Sequence, residues 1–148
     1  MAQSTRIKER QAAQAQHIKQ AQAFLVPSHI DVAILGGGAA GLCAAITAAE
    51  ALGTNKRVVI FEKALESGRT ILATGGGRCN FTNADLSFEN FSHPEFVQAV
   101  CKDKDTFLAD ILTFFRSSGL AWATEDEGRM YPLTRQASSI QSLLLRRA

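Results

Sequence analysis

The chain has 148 residues, 46% of them hydrophobic and 20% charged, which suits one folded domain and excludes a disordered polymer. Residues 1–28 hold four of the 16 basic and one of the 14 acidic side chains, leaving 12 against 13 beyond; the net +2 gives no basic face for a nucleic-acid partner. Three cysteines without CxxC spacing argue against a disulfide-stapled secreted domain and for a reduced, cytoplasmic setting, and four glycines break the uncharged run 32–49, so no membrane span is expected.

Residues 1–28 contain six Ala, six Gln and no Gly, which favours a solvated helical leader. Its apolar residues gather only at Phe24, Leu25 and Val26, so it lacks the hydrophobic face of a targeting peptide. Pro27 and Ser28 mark the boundary with a second unit, 29–148. There Ile30, Val32, Ala33, Ile34 and Leu35 predict a short buried strand ending at three glycines. Leu42–Leu52 predicts a helix of small residues stopped by Gly53, and Val58–Phe61 predicts a second strand, giving the βαβ order of parallel sheets.

A polar loop with a second glycine cluster, Gly75 to Gly77, follows. Ser92 and Glu95 have capping-box spacing before a short helix with Phe96, Val97 and Val100 on its apolar side. A further helix starts near Asp105, turns Phe107, Leu108, Ile111, Leu112 and Phe115 inward and stops at Gly119. Leu120–Ala123 and Arg129–Tyr131 are expected to pair around the turn Glu125–Gly128, and Thr134–Ala148 opens a last helix.

Gly36, Gly38 and Gly41 spell GxGxxG between strand and helix, the context a dinucleotide fingerprint requires. The first glycine permits the turn, the second admits a pyrophosphate and the third lets helix and strand pack closely; Ala40 belongs to the same anion-facing helix start. Glu62, 21 residues beyond Gly41 at the end of the second strand, suits the ribose diol and disfavours a 2′-phosphate, with Lys63 beside it. At the second cluster, successive N–H groups of Gly75, Gly76 and Gly77 can form an anion-accepting concavity, with Arg78 as a cation and Asn80 and Asn83 as polar hydrogen-bonding groups. An ordinary glycine loop with a surface arginine accounts for the same residues.

The stretch from Gly68 and Arg69 through Thr74, Gly75, Gly76, Gly77, Arg78, Cys79 and Asn80 to Thr82 and Asn83 resembles the GRK-x-x-x-[ST]-GGGRCN-x-TN signature of the BaiN/YhiN-like flavoproteins, the aminoacetone oxidase family. Gly128 to Pro132 and Ala137 to Ser139 are similar to that family's later motifs, so the resemblance covers 30–148. It implies a Rossmann-like α/β domain with a parallel sheet, present as its N-terminal portion, that binds FAD for an oxidoreductase. Gly36, Gly38, Gly41 and Glu62 would hold the ADP half and the GGGRCN loop would lie near the flavin. Thr70 replaces the family's lysine, while Arg69 and Arg78 remain available to a ligand.

Cys79 beside Arg78 invites a redox role, but a buried loop cysteine is ordinarily inert, so no catalytic residue is assigned. Cys43 reads as core; His17, His29 and His93 lack ligand spacing, so no metal is expected. The expected partners are a small-molecule substrate and NAD(P)H as electron donor. Two other readings stand beside the flavoprotein: an NAD-dependent dehydrogenase, and an inactive, truncated cofactor-binding remnant that leaves Leu143, Leu144 and Leu145 poorly covered, so that the 148 residues alone are expected to bind FAD weakly or fold marginally.

Overall fold

The computed structural model describes residues 2–23, 27–101 and 103–148. Phe24, Leu25 and Val26 lie outside the described residues. The leader forms α1 (Ala2–Ala23), exposed wherever its side chains are described.

The expected βαβ unit follows: β1 (Val32–Leu35), α2 (Ala39–Leu52) and β2 (Val58–Phe61). β1 and β2 run parallel, in register from Val32 opposite Val58 to Leu35 opposite Phe61. Gly53, at φ 75°, ends α2 and donates its N–H to the Ala49 carbonyl, the left-handed stop that glycine adopts without a Cβ penalty. Leu42, Ala45 and Ile46 form the buried side of α2.

β1 is not the buried strand expected from its composition. Its side chains alternate between half-buried and exposed, and Leu35 is 86% exposed. Parallel strands read as continuous apolar runs because helices cover both faces, whereas among the described residues β2 is the only strand paired with β1. The apolar run correctly specified a strand; its burial depends on neighbours the run does not encode.

The start of this unit is held electrostatically. Asp31 Oδ2 accepts the Arg57 backbone N–H at 2.9 Å and Oδ1 accepts from Lys56 Nζ at 3.0 Å. The Arg57 hydrogen bond first, and Lys56 second, lower the Asp31 pKa from 3.8 to about 2. A carboxyl depressed in the folded state stabilises fully above pH 3.8, and the effect fades as the pH falls towards 2. Asp31→Asn should therefore lower the Tm at pH 7, and the gap between wild type and variant should close as melts are taken from pH 4 down to about 2.

A 3₁₀ segment, Arg69–Gly77, leads into β3 (Thr82–Asn83); α3 (Pro94–Cys101), α4 (Lys104–Ser117), β4 (Trp122–Thr124), β5 (Arg129–Pro132) and α5 (Ala137–Arg147) follow. β4 and β5 pair antiparallel around a turn at Asp126–Gly128, as their spacing predicts, and β3 adds to the far side of β5, giving the order β3-β5-β4. Two residues long, β3 carries no readable periodicity.

Two helix readings change. α3 begins at Pro94, where a proline loses no helical hydrogen bond, and the Val97 N–H donates to the His93 carbonyl, so the Ser92–Glu95 capping box does not open this helix. Phe96 and Val100 are 68% and 65% exposed; the apolar side is there, but no core packs on it. α4 is capped by Asp103, whose side chain accepts the Thr106 N–H at 2.8 Å.

The last helix is better covered than its sequence suggests. Leu144 is 1% exposed, Leu143 is also buried, and both join Leu42, Ile46, Ile71, Phe115, Leu120, Ala137 and Ile140 in one core between α2, the 3₁₀ segment, α4 and α5. Only Leu145 turns partly outward. Arg147 fastens the end of α5 by pairing with Glu50 of α2 at 2.8 Å and donating to the Phe114 carbonyl and Ser118 Oγ. Among the described residues no helix is long and apolar enough to cross a membrane, and no group of three or more His, Cys, Asp or Glu side chains could hold a metal ion.

Candidate functional site

The glycine turn sits where β1 ends and α2 begins, and its three motif positions differ physically. Gly36, at φ 101°, takes a course that L side chains rarely adopt, and its N–H donates to the Phe61 carbonyl at 2.8 Å. A Cβ on Gly41 would run into the Gly36 carbonyl oxygen, so the third glycine is what lets α2 start against the strand. A Cβ on Gly38 would meet only Thr70 Oγ1, at 3.8 Å. Neither packing nor its φ of −73° demands glycine there; the open space lies beside the N-terminus of a 14-residue helix, where unpaired N–H groups and the helix dipole favour an anion. Ala40 is exposed in the first turn of that helix.

Gly37, an unspecified position of the motif, is buried, and a Cβ there would collide with the Ser67 side chain. Its place in the middle of the run Gly36 to Gly38 was its only signal in the sequence.

Glu62 is tied to this turn. Its Oε1 accepts the Ala64 N–H and its Oε2 the Gly37 N–H, each at 2.7 Å. The Ala64 bond first, and then the Gly37 bond, hold its carboxyl below the ordinary value of 4.5. Each oxygen keeps further acceptor capacity. The residue expected to receive a ribose thus also fixes the turn that would receive the phosphates, a role that spacing alone does not reveal. Lys63 is exposed beside it.

The second glycine-bearing segment comes back onto the first. Gly68 donates its N–H to the Gly37 carbonyl at 2.6 Å. It is buried at φ 73°, and a Cβ would press on Gln141 and Leu42. Gln141, a buried polar residue of α5, donates from Nε2 to the Ser67 carbonyl. Arg69 and Thr70 therefore stand at the lip of the glycine turn, with the Arg69 side chain exposed.

Gly75, Gly76 and Gly77 are exposed and follow left-handed backbone at φ 55°, 65° and 86°. Cys79 repeats that conformation at φ 60° with its side chain turned inward, 6% exposed, and burial pushes its thiol pKa up. A raised pKa disfavours the reactive thiolate. Asn80 Oδ1 accepts the Met130 N–H at 3.2 Å and Asn83 Nδ2 donates to the Glu127 carbonyl at 2.8 Å, so both side chains brace the small sheet.

Arg78 departs most from its expected availability. Its Nη1 donates to Glu125 Oε2 at 2.9 Å, its Nη2 lies 3.2 Å from Tyr131 Oη, and its guanidinium rests 4.1 Å from the centre of the Tyr131 ring. Tyr131 is buried beneath it. The inward stripe of α4 serves two ends: Phe115 is core, stacking edge-on with Phe81 at 4.8 Å, whereas Phe107 and Ile111 line an open cleft of about 360 Å³ with Asn80, Phe81 and Asn83.

Residues 30–148 match the family described as the HI0933-like protein Rossmann domain. The chain belongs to the HI0933-like Rossmann family. It is 42% identical over 115 residues to a 3-dehydro-bile acid delta(4,6)-reductase of Clostridium scindens, covering 76% of this chain and 27% of that protein. It is 30% identical over 103 residues to a ribosomal RNA dihydrouridine synthase of Escherichia coli, covering 68% of this chain and 24% of the relative. A protein of the same name from Haemophilus influenzae is 30% identical over 100 residues, with 66% and 24% covered. The chain thus spans about a quarter of the length of the curated relatives it matches. The Rossmann assignment expected from the glycine turn and the second cluster holds, as does kinship with an oxidoreductase.

Proposed function

We propose that residues 29–148 are the FAD-holding front portion of a flavin-dependent oxidoreductase that reduces an activated double bond in a small organic substrate, with NAD(P)H as electron donor. The observation that carries this reading is the open space at Gly38: a position free of steric need for glycine, at a helix N-terminus, bordered by two glycines that the fold does require. A dinucleotide pyrophosphate fits such a cradle. Gly36, Gly38, Ala40 and Gly41 would hold it, Glu62 with Lys63 nearby would face the ribose, and Arg69, next to the Gly68 that bonds the turn, would serve the phosphates. The loop Gly75, Gly76, Gly77, Arg78, Cys79 and Asn80 would supply backbone groups on the flavin side.

Bound FAD supplies hydride transfer at its isoalloxazine N5. The protein's part is to orient the dinucleotide with the glycine turn, to keep a carboxylate at Glu62 and to shape the flavin side with a fixed loop. Three free cysteines support a reduced, cytoplasmic setting. The near balance of charge beyond residue 28 and the higher identity to the bile-acid reductase favour a small molecule over RNA. The names of the two other relatives make a uridine in RNA the competing substrate.

The purified full chain titrated with FAD decides the cofactor. Saturable binding with flavin absorbance near 450 nm, roughly the band the isoalloxazine carries itself, is expected, whereas a chain that binds NAD and no flavin overturns the proposal. Cys79→Ser should leave FAD content unchanged, because the thiol is buried in the core with its pKa raised; an emptied site in that variant would make Cys79 a ligand contact.

A further inference from the structure

We infer that Glu125 and Tyr131, both supplied by the β4–β5 hairpin, are positioning residues that grip Arg78 and thereby hold the glycine loop Gly75–Asn80 in its left-handed course. The loop's importance to a flavin rests on the FAD reading proposed above; the grip itself rests on geometry. Gly75, Gly76 and Gly77 take left-handed backbone without penalty but are equally free to leave it, and Cys79 at φ 60° holds a conformation that a side chain disfavours. Something outside the loop has to over-determine it.

The hairpin supplies that restraint from three sides. Gly75 lies between Asn80 and Tyr131, where an added Cβ would come to 2.6 Å from the Asn80 backbone nitrogen and 3.2 Å from Tyr131 Cε1. Arg78 stacks on the same ring and pairs with Glu125 at 2.9 Å. Glu125 is itself held by its second oxygen, 3.1 Å from Arg135 Nη2, an ion pair without hydrogen-bond alignment. Past the loop, the Phe81 N–H donates to the Met130 carbonyl and the Met130 N–H donates back to Asn80 Oδ1. Arg78 thus acts as a tether between loop and hairpin, its charge already answered by a carboxylate.

A tether and a direct phosphate ligand predict different mutant behaviour. If Arg78 works through Glu125 and Tyr131, its loss includes the loss of the Glu125 grip, so the double variant costs no more than Arg78→Gln alone; if Arg78 binds the cofactor itself, the effects of Glu125→Gln and Arg78→Gln add. The experiment uses the full chain and the variants Glu125→Gln, Arg78→Gln, their double, Tyr131→Phe and Glu125→Asp. Glu127→Gln, which alters the exposed partner of Arg129 on the same hairpin, is the local control. Phe115→Leu controls for general loss of stability.

Amide hydrogen exchange over residues 75–80 without FAD should quicken about fivefold in Glu125→Gln, at least as much in Arg78→Gln, which also gives up the Tyr131 ring, and no further in the double than in Arg78→Gln. Tyr131→Phe should shift it in the same direction, Glu125→Asp should restore it, and Glu127→Gln should leave it unchanged. With FAD, the tether variants should weaken binding by a similar factor and alter the visible circular dichroism of the bound flavin, whereas Phe115→Leu should lower the Tm without that spectral change. Unchanged loop exchange in both Glu125→Gln and Tyr131→Phe, or additive losses in the double variant, would overturn the inference. Faster, coupled exchange with unaltered FAD affinity would keep the tether and overturn the flavin-side placement of the loop. If the wild-type chain binds no FAD, the cofactor proposal falls and the exchange data alone decide the tether.

Discussion

Gly38→Val should abolish FAD binding while the fold survives, and Gly41→Ala should damage both. The two glycines stand three residues apart in one motif, and their surroundings differ. At Gly38 the backbone is extended and the nearest atom to an added Cβ is Thr70 Oγ1 at 3.8 Å. Valine fits the protein there, with a change in stability of about 1 kcal/mol or less at this helix N-cap. It fills the space a pyrophosphate needs; losing two charge-assisted backbone hydrogen bonds corresponds to a fall in affinity of about a hundredfold or more.

At Gly41 a single methyl group meets the Gly36 carbonyl oxygen, which is backbone and cannot swing aside. Relief requires moving α2 off β1, an overpacking cost of about 2–3 kcal/mol and a Tm lower by roughly 5–10 °C. Thermal melts and FAD titrations of both variants separate the roles. A Gly38→Val chain that binds FAD like wild type would remove the pyrophosphate from this turn, and a Gly41→Ala chain with wild-type Tm would show that the turn tolerates a side chain.

Glu62→Ala is expected to have the next largest effect. The carboxylate accepts backbone N–H groups from both sides, Gly37 on the turn and Ala64 beyond β2, so its loss frees two donors at once. Affinity for FAD should fall about tenfold to a hundredfold from the loosened turn and the lost acceptor together, and the Tm should fall as well. Glu62→Gln keeps one acceptor oxygen and should lie between. Because the folded state holds this carboxyl below its ordinary 4.5, its contribution is complete above that pH and drains away as the pH falls through the lower folded value. The stability gap between wild type and Glu62→Gln should therefore be constant from neutral pH to about 5 and close under more acid conditions. A gap that widens in acid would contradict the hydrogen bonding described.

Which parts of the site were legible depends on whether a residue's role is local. GxGxxG between an apolar run and a small-residue helix is a local pattern, and the turn forms where it says, with Gly36 at positive φ and Gly41 in contact with the strand end. Glu62 was found from its spacing to the turn. Gly37 and Gly68 were not assigned roles, because each is needed for a contact with a residue on another segment, Ser67 in one case and Gln141 in the other. Arg78 was read as a free cation because its partners, Glu125 and Tyr131, lie 47 and 53 residues further along the chain.

By itself the sequence determined the strand–helix–strand order at 32–61, the parallel pairing of β1 with β2, the glycine turn and the antiparallel hairpin near the end, since each follows from residues a few positions apart whose steric and hydrogen-bonding demands leave few alternatives. Tertiary structure alone decided burial and engagement: that Leu35 and Phe96 stay exposed, that Leu143 and Leu144 are covered, that Cys79 is sequestered and that Arg78 is held by a distant carboxylate. Burial and ion pairing belong to the set of surfaces that meet in the folded chain, and no window of residues contains both members of such a pair.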